Sequence, residues 1–268
     1  GTELAKWGIK LNYGVKTGCN DAFIINDDTK NELISKDPKS EELIKPILRG
    51  RDIKKFSYTY NNLYLLSVGY GEYKNLDQRY PAIYEHLHNF KEVLESRGQS
   101  KGSRSGKQVN QDFPGQHHWL ELDNNPSKEY FKLINREKIS WGNLALHTQF
   151  SLLPEGYAIS APGNFIVSDY NYYLLGILNS KLAEYYIKLL GITRNGGYFE
   201  FQPRLVKKLP VPQISPSNSR LVKNIEAKAE SLTQDPTNDE ILSELNTLVY
   251  ELYGLTDNEV ILVDGTVI

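Results

Sequence analysis

A mixed α/β (α+β) fold is what the sequence predicts, a twisted sheet carried with long helices and followed by a helical C-terminal segment. Three observations predict it. Polar and apolar residues alternate over short stretches in the first two thirds of the chain, which is the period of strands, while other stretches repeat at three- and four-residue spacing, which is the period of helices. Two prolines one residue apart, in LVKKLPVPQI, then force an extended connection. Beyond it the patterning is helical only. The reading is therefore a body of residues 1–212 and a helical segment of residues 213–268 that packs on the body or on a part of the protein outside this chain.

In chain order, residues 7–25 read as two short strands, WGIKLNY and NDAFII, joined by a turn at Gly14 and Gly18. Residues 27–36 and 40–48 read as short helical turns interrupted by Pro38 and Pro46. A loop at Gly50 leads into aromatic strands over 56–60 and 63–68. Pro81 opens a helix whose Ile83, Leu87, Phe90 and Leu94 fall on one face. Residues 96–118 hold four glycines, four Lys/Arg and four glutamines with hardly an apolar side chain, so this stretch is expected to be poorly ordered, a binding loop or a flexible insert. Strand character returns over 138–146 and 157–167. One long helix is expected over 170–190 with Gly191 as its stop. Two amphipathic helices, 217–232 and 239–253, close the pattern.

Composition narrows the function classes. With 268 residues, 40% hydrophobic and 24% charged, the chain is long and apolar enough to bury a core, which excludes disorder as its main state. The longest apolar runs fall short of the roughly 18 residues of a membrane span. A single cysteine, Cys19, leaves no internal disulfide and fits a cytoplasmic protein. The absence of Met, position 1 included, suggests a piece of a longer protein. The net charge of −2 conceals a segregation, because ten acidic residues and one base lie between Glu226 and Asp264, leaving a body of formal charge +7. A basic body is the electrostatic footprint of a polyanion binder.

No glycine loop with the spacing of a nucleotide cradle is present, and His86, His88, His117, His118 and His147 do not match a metal-site pattern. His117 and His118 are adjacent and in principle an acid and a base, but beside Trp119 they read as stacking or hydrogen-bonding residues. No metal and no catalytic residue is expected. Two basic, glycine-bearing loops remain. The first supplies Arg97, Lys101, Arg104 and Lys107, interleaved with Gln108, Asn110 and Gln111. The second, with its flanks, supplies Lys188, Arg194, Asn195, Arg204, Lys207 and Lys208 against the single acid Glu200. Lys and Arg suit phosphates, Arg suits guanine edges, and Asn and Gln suit adenine edges. Arg104, Gln108, Asn110, Gln111, Arg194 and Asn195 are thus candidate base readers. Arg97, Lys101, Lys107, Arg204, Lys207 and Lys208 are candidate phosphate holders, and the other reading of both loops is a solvated, flexible surface segment.

The order of YGVKTGCNDAFII, IKPILRGRDIKKF, RYPAIYEHLHNFKEVLESR, HWLEL, LLGILNSKLAEYYI and KKLPVP resembles the TaqI-like C-terminal specificity domain, the target-recognition part of adenine-N6 DNA methyltransferases and type II restriction-modification enzymes. The trailing LNTLVYELYGLTDNEV is similar to the closing helices of the same enzymes. The resemblance implies a DNA target-recognition domain that is not an enzyme by itself, whose partner is double-stranded DNA and in which Lys16 and Arg51 are further candidate phosphate holders. It also implies an N-terminal methyltransferase part that binds S-adenosylmethionine and grips a flipped adenine through an Asn/Asp-Pro-Pro-aromatic motif, in some relatives with a nuclease domain that uses magnesium. Neither the motif nor a nuclease core stands in this chain. The alternative reading is a specificity-subunit-like scaffold that binds a separate methyltransferase chain through its helices.

Overall fold

The computed structural model describes residues 1–102, 112–191 and 194–265. Its centre is an antiparallel sheet in the order Leu11–Tyr13, Asn164–Ile166, Lys138–Trp141 and Phe150–Leu153. Side chains alternate across a strand, and here both faces are buried. Ile139, Trp141, Phe150 and Ile166 enter one core, while Leu153 and Phe165 enter another. Lys138 is wholly buried in this sheet, its ammonium donating to the carbonyls of Pro154 (3.1 Å) and Tyr157 (2.9 Å), and burial pushes it down to about 8.

The second core is built on another sheet, in the order Ile24–Ile25, Tyr64–Leu66, Ile44–Leu48 and Ala158–Ile159, antiparallel except for the last pair. Helices Asp27–Lys36, Leu76–Arg79, Pro81–His88, Lys91–Ser96 and Lys128–Ile134 add Leu33, Leu76, Ile83, Leu87, Leu94 and Ile134 to it. The first core is covered by helices Asn171–Leu178, Lys181–Leu190, Ser219–Gln234 and Asp239–Tyr253. The extended segment Pro210–Val211 pairs with Thr2–Glu3. Asn238 caps the Asp239–Tyr253 helix through Ile241 N (3.1 Å), and the helix Asp257–Gly265 follows. No helix of the described residues is long and apolar enough to cross a membrane.

The mixed class is as the sequence predicts, but several elements differ. The expected N-terminal hairpin does not form, since Leu11–Tyr13 pairs with Asn164–Ile166, Ile24–Ile25 pairs with Tyr64–Leu66, and the helical turn Asn20–Phe23 lies between them. Residues 44–48 are a strand rather than helical, because Pro46 disfavours helix at Lys45 and cannot continue one itself. Residues 56–60 make one isolated bridge, Ile53 to Tyr58. The 81–94 helix breaks at Asn89 and Phe90 while keeping its buried face. The expected long helix over 170–190 is two helices. Ser180 caps the second through Ala183 N (3.1 Å), and Asn179 turns to the sheet edge, accepting from Phe150 N (3.1 Å) and donating to Phe150 O (2.9 Å).

Candidate nucleic-acid interface

The first basic region is anchored from inside. Arg97, expected to meet phosphate, is buried, with its side chain 4% exposed. It donates to the carbonyls of Thr17 (2.7 Å), Trp119 (2.8 Å), Glu121 (2.8 Å) and Leu94 (3.1 Å), and stands 3.3 Å from Asp123. A guanidinium has five N–H donors, and these contacts occupy them inside the protein, so Arg97 is corrected to a structural residue. Asp123 also holds His117 Nε2 at 3.0 Å, while His117 Nδ1 lies 2.8 Å from His118 O. The Asp123 carboxyl sits below its ordinary value, because contacts from His117 and Arg97 outweigh the upward push of burial.

The neighbouring His118 stacks on Tyr73 with centroids 4.4 Å apart, and burial pulls it down to about 4. Two histidines so engaged do not form an acid–base pair, in keeping with the packing and hydrogen-bonding role read from sequence. The described ends of the 96–118 stretch are packed, contrary to expectation: Gly98–Lys101 is a helical turn, Gln116 N donates to Gln99 O at 2.7 Å, and Phe113 and Ser100 are buried. The apolar anchor is Phe113, which composition over the whole stretch obscures.

Lys16 and Lys101 are exposed and line, with Gln99, Gly102 and Gln116, a cleft of about 550 Å³. The Lys16 backbone is held there by an isolated antiparallel β-bridge to Asp123. Arg104, Lys107, Gln108, Asn110 and Gln111 lie outside the described residues. Arg51 is exposed next to a clamp that sequence reasoning passed over, in which Asp52 accepts from Arg49 N (2.8 Å), Nε (2.9 Å) and the guanidinium (3.0 Å). Of the glycines read as turn and loop positions, Gly18 has φ +69°, while Gly14 and Gly50 have no positive φ. They permit close approach instead, since a Cβ on Gly14 would lie 2.6 Å from Ile159 O and one on Gly50 3.1 Å from Gly142 Cα.

The second basic region is a surface turn. Arg194 N donates to Tyr198 O (2.7 Å) and Gly197 N to Arg194 O (3.2 Å), with Gly196 and Gly197 at φ +79° and +78°, a left-handed pair that side-chain-bearing residues rarely adopt. Strand Phe199–Glu200 pairs with Leu144–Ala145 and fixes the root of the turn. Buried Glu200 then binds two arginines: Arg194 on Oε1, with Nε at 2.6 Å, and Arg204 on Oε2 at 3.3 Å. Both guanidiniums remain 57% exposed. Arg194 thus has a buried carboxylate as its partner. Lys207 and Lys208 are exposed just past the Pro203–Val206 helical turn. Sequence reasoning counted Glu200 as a lone opposing charge. Its spacing of four from Arg204 was the available signal.

Among the described residues no group of His, Cys, Asp and Glu is arranged to hold a metal ion.

None of the curated proteins matches this chain. Solved structures that share its fold include the type IIL restriction-modification enzyme MmeI in complex with DNA (TM-score 0.68, 13% identity, covering 95% of this chain and 34% of that one) and the type IIG restriction endonuclease BpuSI (TM-score 0.50, 15% identity, 93% and 31%). The chain therefore spans about a third of the length of either. The family model of the TaqI-like C-terminal specificity domain matches residues 45–211, which include most strands of both four-stranded sheets and the Arg194–Glu200–Arg204 cluster, and the chain belongs to that family.

Proposed function

We propose that this chain is the DNA target-recognition module of a type II restriction-modification enzyme. The observation that carries the reading is the family match over residues 45–211, which takes in Arg51, Lys101 and the Arg194–Glu200–Arg204 cluster. An enzyme that modifies a base inside a duplex must extrude it, and its chemistry alone does not choose which base. Choice falls to a module that holds phosphates for register and reads base edges for sequence. Lys16, Lys101, Arg51, Lys207 and Lys208 are exposed cations suited to phosphates. Arg194 is suited to base readout: Glu200 takes its Nε side, so the fork is held before DNA arrives and loses less rotamer freedom on docking.

In this reading S-adenosylmethionine and the adenine-N6 transfer belong to a methyltransferase part of the longer protein. Any magnesium-dependent cleavage belongs to a nuclease part. The isolated chain then neither methylates nor cleaves, and works in the cytoplasm as a partner of those parts.

Titration of the chain with duplex DNA at several salt concentrations tests the reading. The expected result is weak binding whose logarithm falls with the logarithm of salt at a slope of about −0.9 per phosphate contact, for about four to eight contacts. Absence of binding at low salt, or binding insensitive to salt, overturns it.

A further inference from the structure

A further cluster of cations stands apart from the two basic surfaces, sharing only Lys188 with the flank of the second. Lys55, Lys181 and Lys188 line, with His147 and Thr148, a cavity of about 440 Å³ against the Lys181–Leu190 helix, a size in the range of small-ligand sites. Its two acids are already engaged. Glu184 accepts from Lys188 Nζ (2.8 Å), Thr148 N (2.9 Å) and Thr148 Oγ1 (3.1 Å), with His147 Nδ1 at 2.8 Å, contacts that outweigh its burial and hold it at about 2. Asp264 accepts from Lys181 (3.1 Å) and from the Tyr250 hydroxyl (2.7 Å). Lys188 rests on the Phe199 ring as well.

Lys55 is different. Its ammonium makes neither a hydrogen bond nor an ion pair among the described residues, and burial lowers its pKa, so a desolvated cation faces the cavity without a counter-charge in contact. The backbone that carries it is strained: the next residue, Phe56, has φ +59°, uncommon for a bulky side chain. Two features hold that conformation. The Phe56 ring is buried in the first core, and Phe56 N donates to Phe150 O at 2.9 Å. Strain maintained by packing next to an unpaired cation is a feature of ligand sites.

We propose that this cavity binds a phosphate group, with Lys55 as the principal cation and Lys181 at the rim. A compact ammonium meets the oxygens of phosphate as a point charge, without the planar fork that a carboxylate would favour. The phosphate belongs to the DNA backbone or to a free phosphate compound, and the site stands or falls independently of the proposed duplex reading.

The test uses the 268-residue chain labelled with ¹⁵N and titrated with inorganic phosphate and, separately, with a duplex. Inorganic phosphate is expected to shift the Thr148 and Gln149 amides saturably. Lys55→Gln should weaken that binding about tenfold, Lys55→Arg should largely retain it, and Lys181→Gln should weaken it about two- to threefold. If DNA is the source, the duplex shifts the same amides and Lys55→Gln lowers the salt slope of duplex binding by about one contact. If a free compound is the source, Lys55→Gln leaves duplex affinity unchanged. Should Lys55→Gln lower the melting temperature, Lys181→Gln carries the test, since its side chain is 54% exposed. Unmoved amides in both titrations, or unchanged phosphate affinity in the folded variants, overturn the proposal.

Discussion

The two basic regions look alike in the sequence, each a glycine-bearing segment rich in Arg and Lys, yet they are built on opposite principles. In the first, the leading arginine has been drawn into the protein, where Arg97 ties the carbonyls of four separate residues and a buried Asp123. In the second, a buried carboxylate reaches outward, and Glu200 steadies two arginines that stay at the surface. A cation held by buried carbonyls supports the scaffold. A cation held from beneath by an acid is presented to a partner. Arginine count does not distinguish the two. What distinguishes them is which member of the ion pair is buried.

The difference is sharpest in Arg97→Ala. Removing this guanidinium leaves Asp123 and several carbonyls buried without their partner, and a stability loss of about 3–5 kcal/mol is expected by thermal or denaturant unfolding. A loss under about 1 kcal/mol, with duplex binding weakened, would return Arg97 to the phosphate holders. Next in size is Arg194→Ala in the complete enzyme. Here melting temperature should change little, while preference at one base pair relaxes by about 1–3 kcal/mol on a panel of single-base site variants. Unchanged preference with lower stability would make Arg194 a scaffold residue like Arg97.

Acid should distinguish the regions as well. His118 is lowered when folded to about 4 from its ordinary 6.5, so the unfolded chain binds the extra proton, and its contribution is present above pH 6.5 and lost as pH falls towards about 4. Glu184, held at about 2 against an ordinary 4.5, contributes above pH 4.5 and loses that contribution as pH falls towards about 2. Melting temperature followed from pH 7 to pH 3 should thus decline in two stages, the first set by His118 and the second by Glu184. His118→Phe should flatten the first decline by a few degrees and leave the second. The smallest effect is expected for Lys207→Ala and Lys208→Ala, each lowering the salt slope of duplex binding by about one contact with no change in base preference.

Local patterning carried part of this structure. The buried face of Ile83, Leu87 and Leu94 and the span Asp239–Tyr253 were legible because helix periodicity lies within a few residues. The Ser180 cap was written in the sequence too, but the apolar run through it outweighed the signal. Strand partners were not legible, because Leu11–Tyr13 finds its neighbour some 150 residues away, and alternation within a strand says nothing of what lies beside it. At the candidate interface the residue types were legible and their burial was not. The fate of Arg97 depends on Thr17, Trp119 and Asp123, which meet it only in the folded chain.

The central sheet has a consequence for cooperativity. Phe165 and Ile166 are consecutive residues of one strand, yet each belongs to a different core. Neither core can open without stripping one face of the sheet that closes the other, so the described body should unfold in a single transition, with amides of Lys138–Trp141 and Asn164–Ile166 the last to exchange with solvent. A substitution that retunes one basic region is then felt through this shared wall as a change in the free energy of holding the other in place.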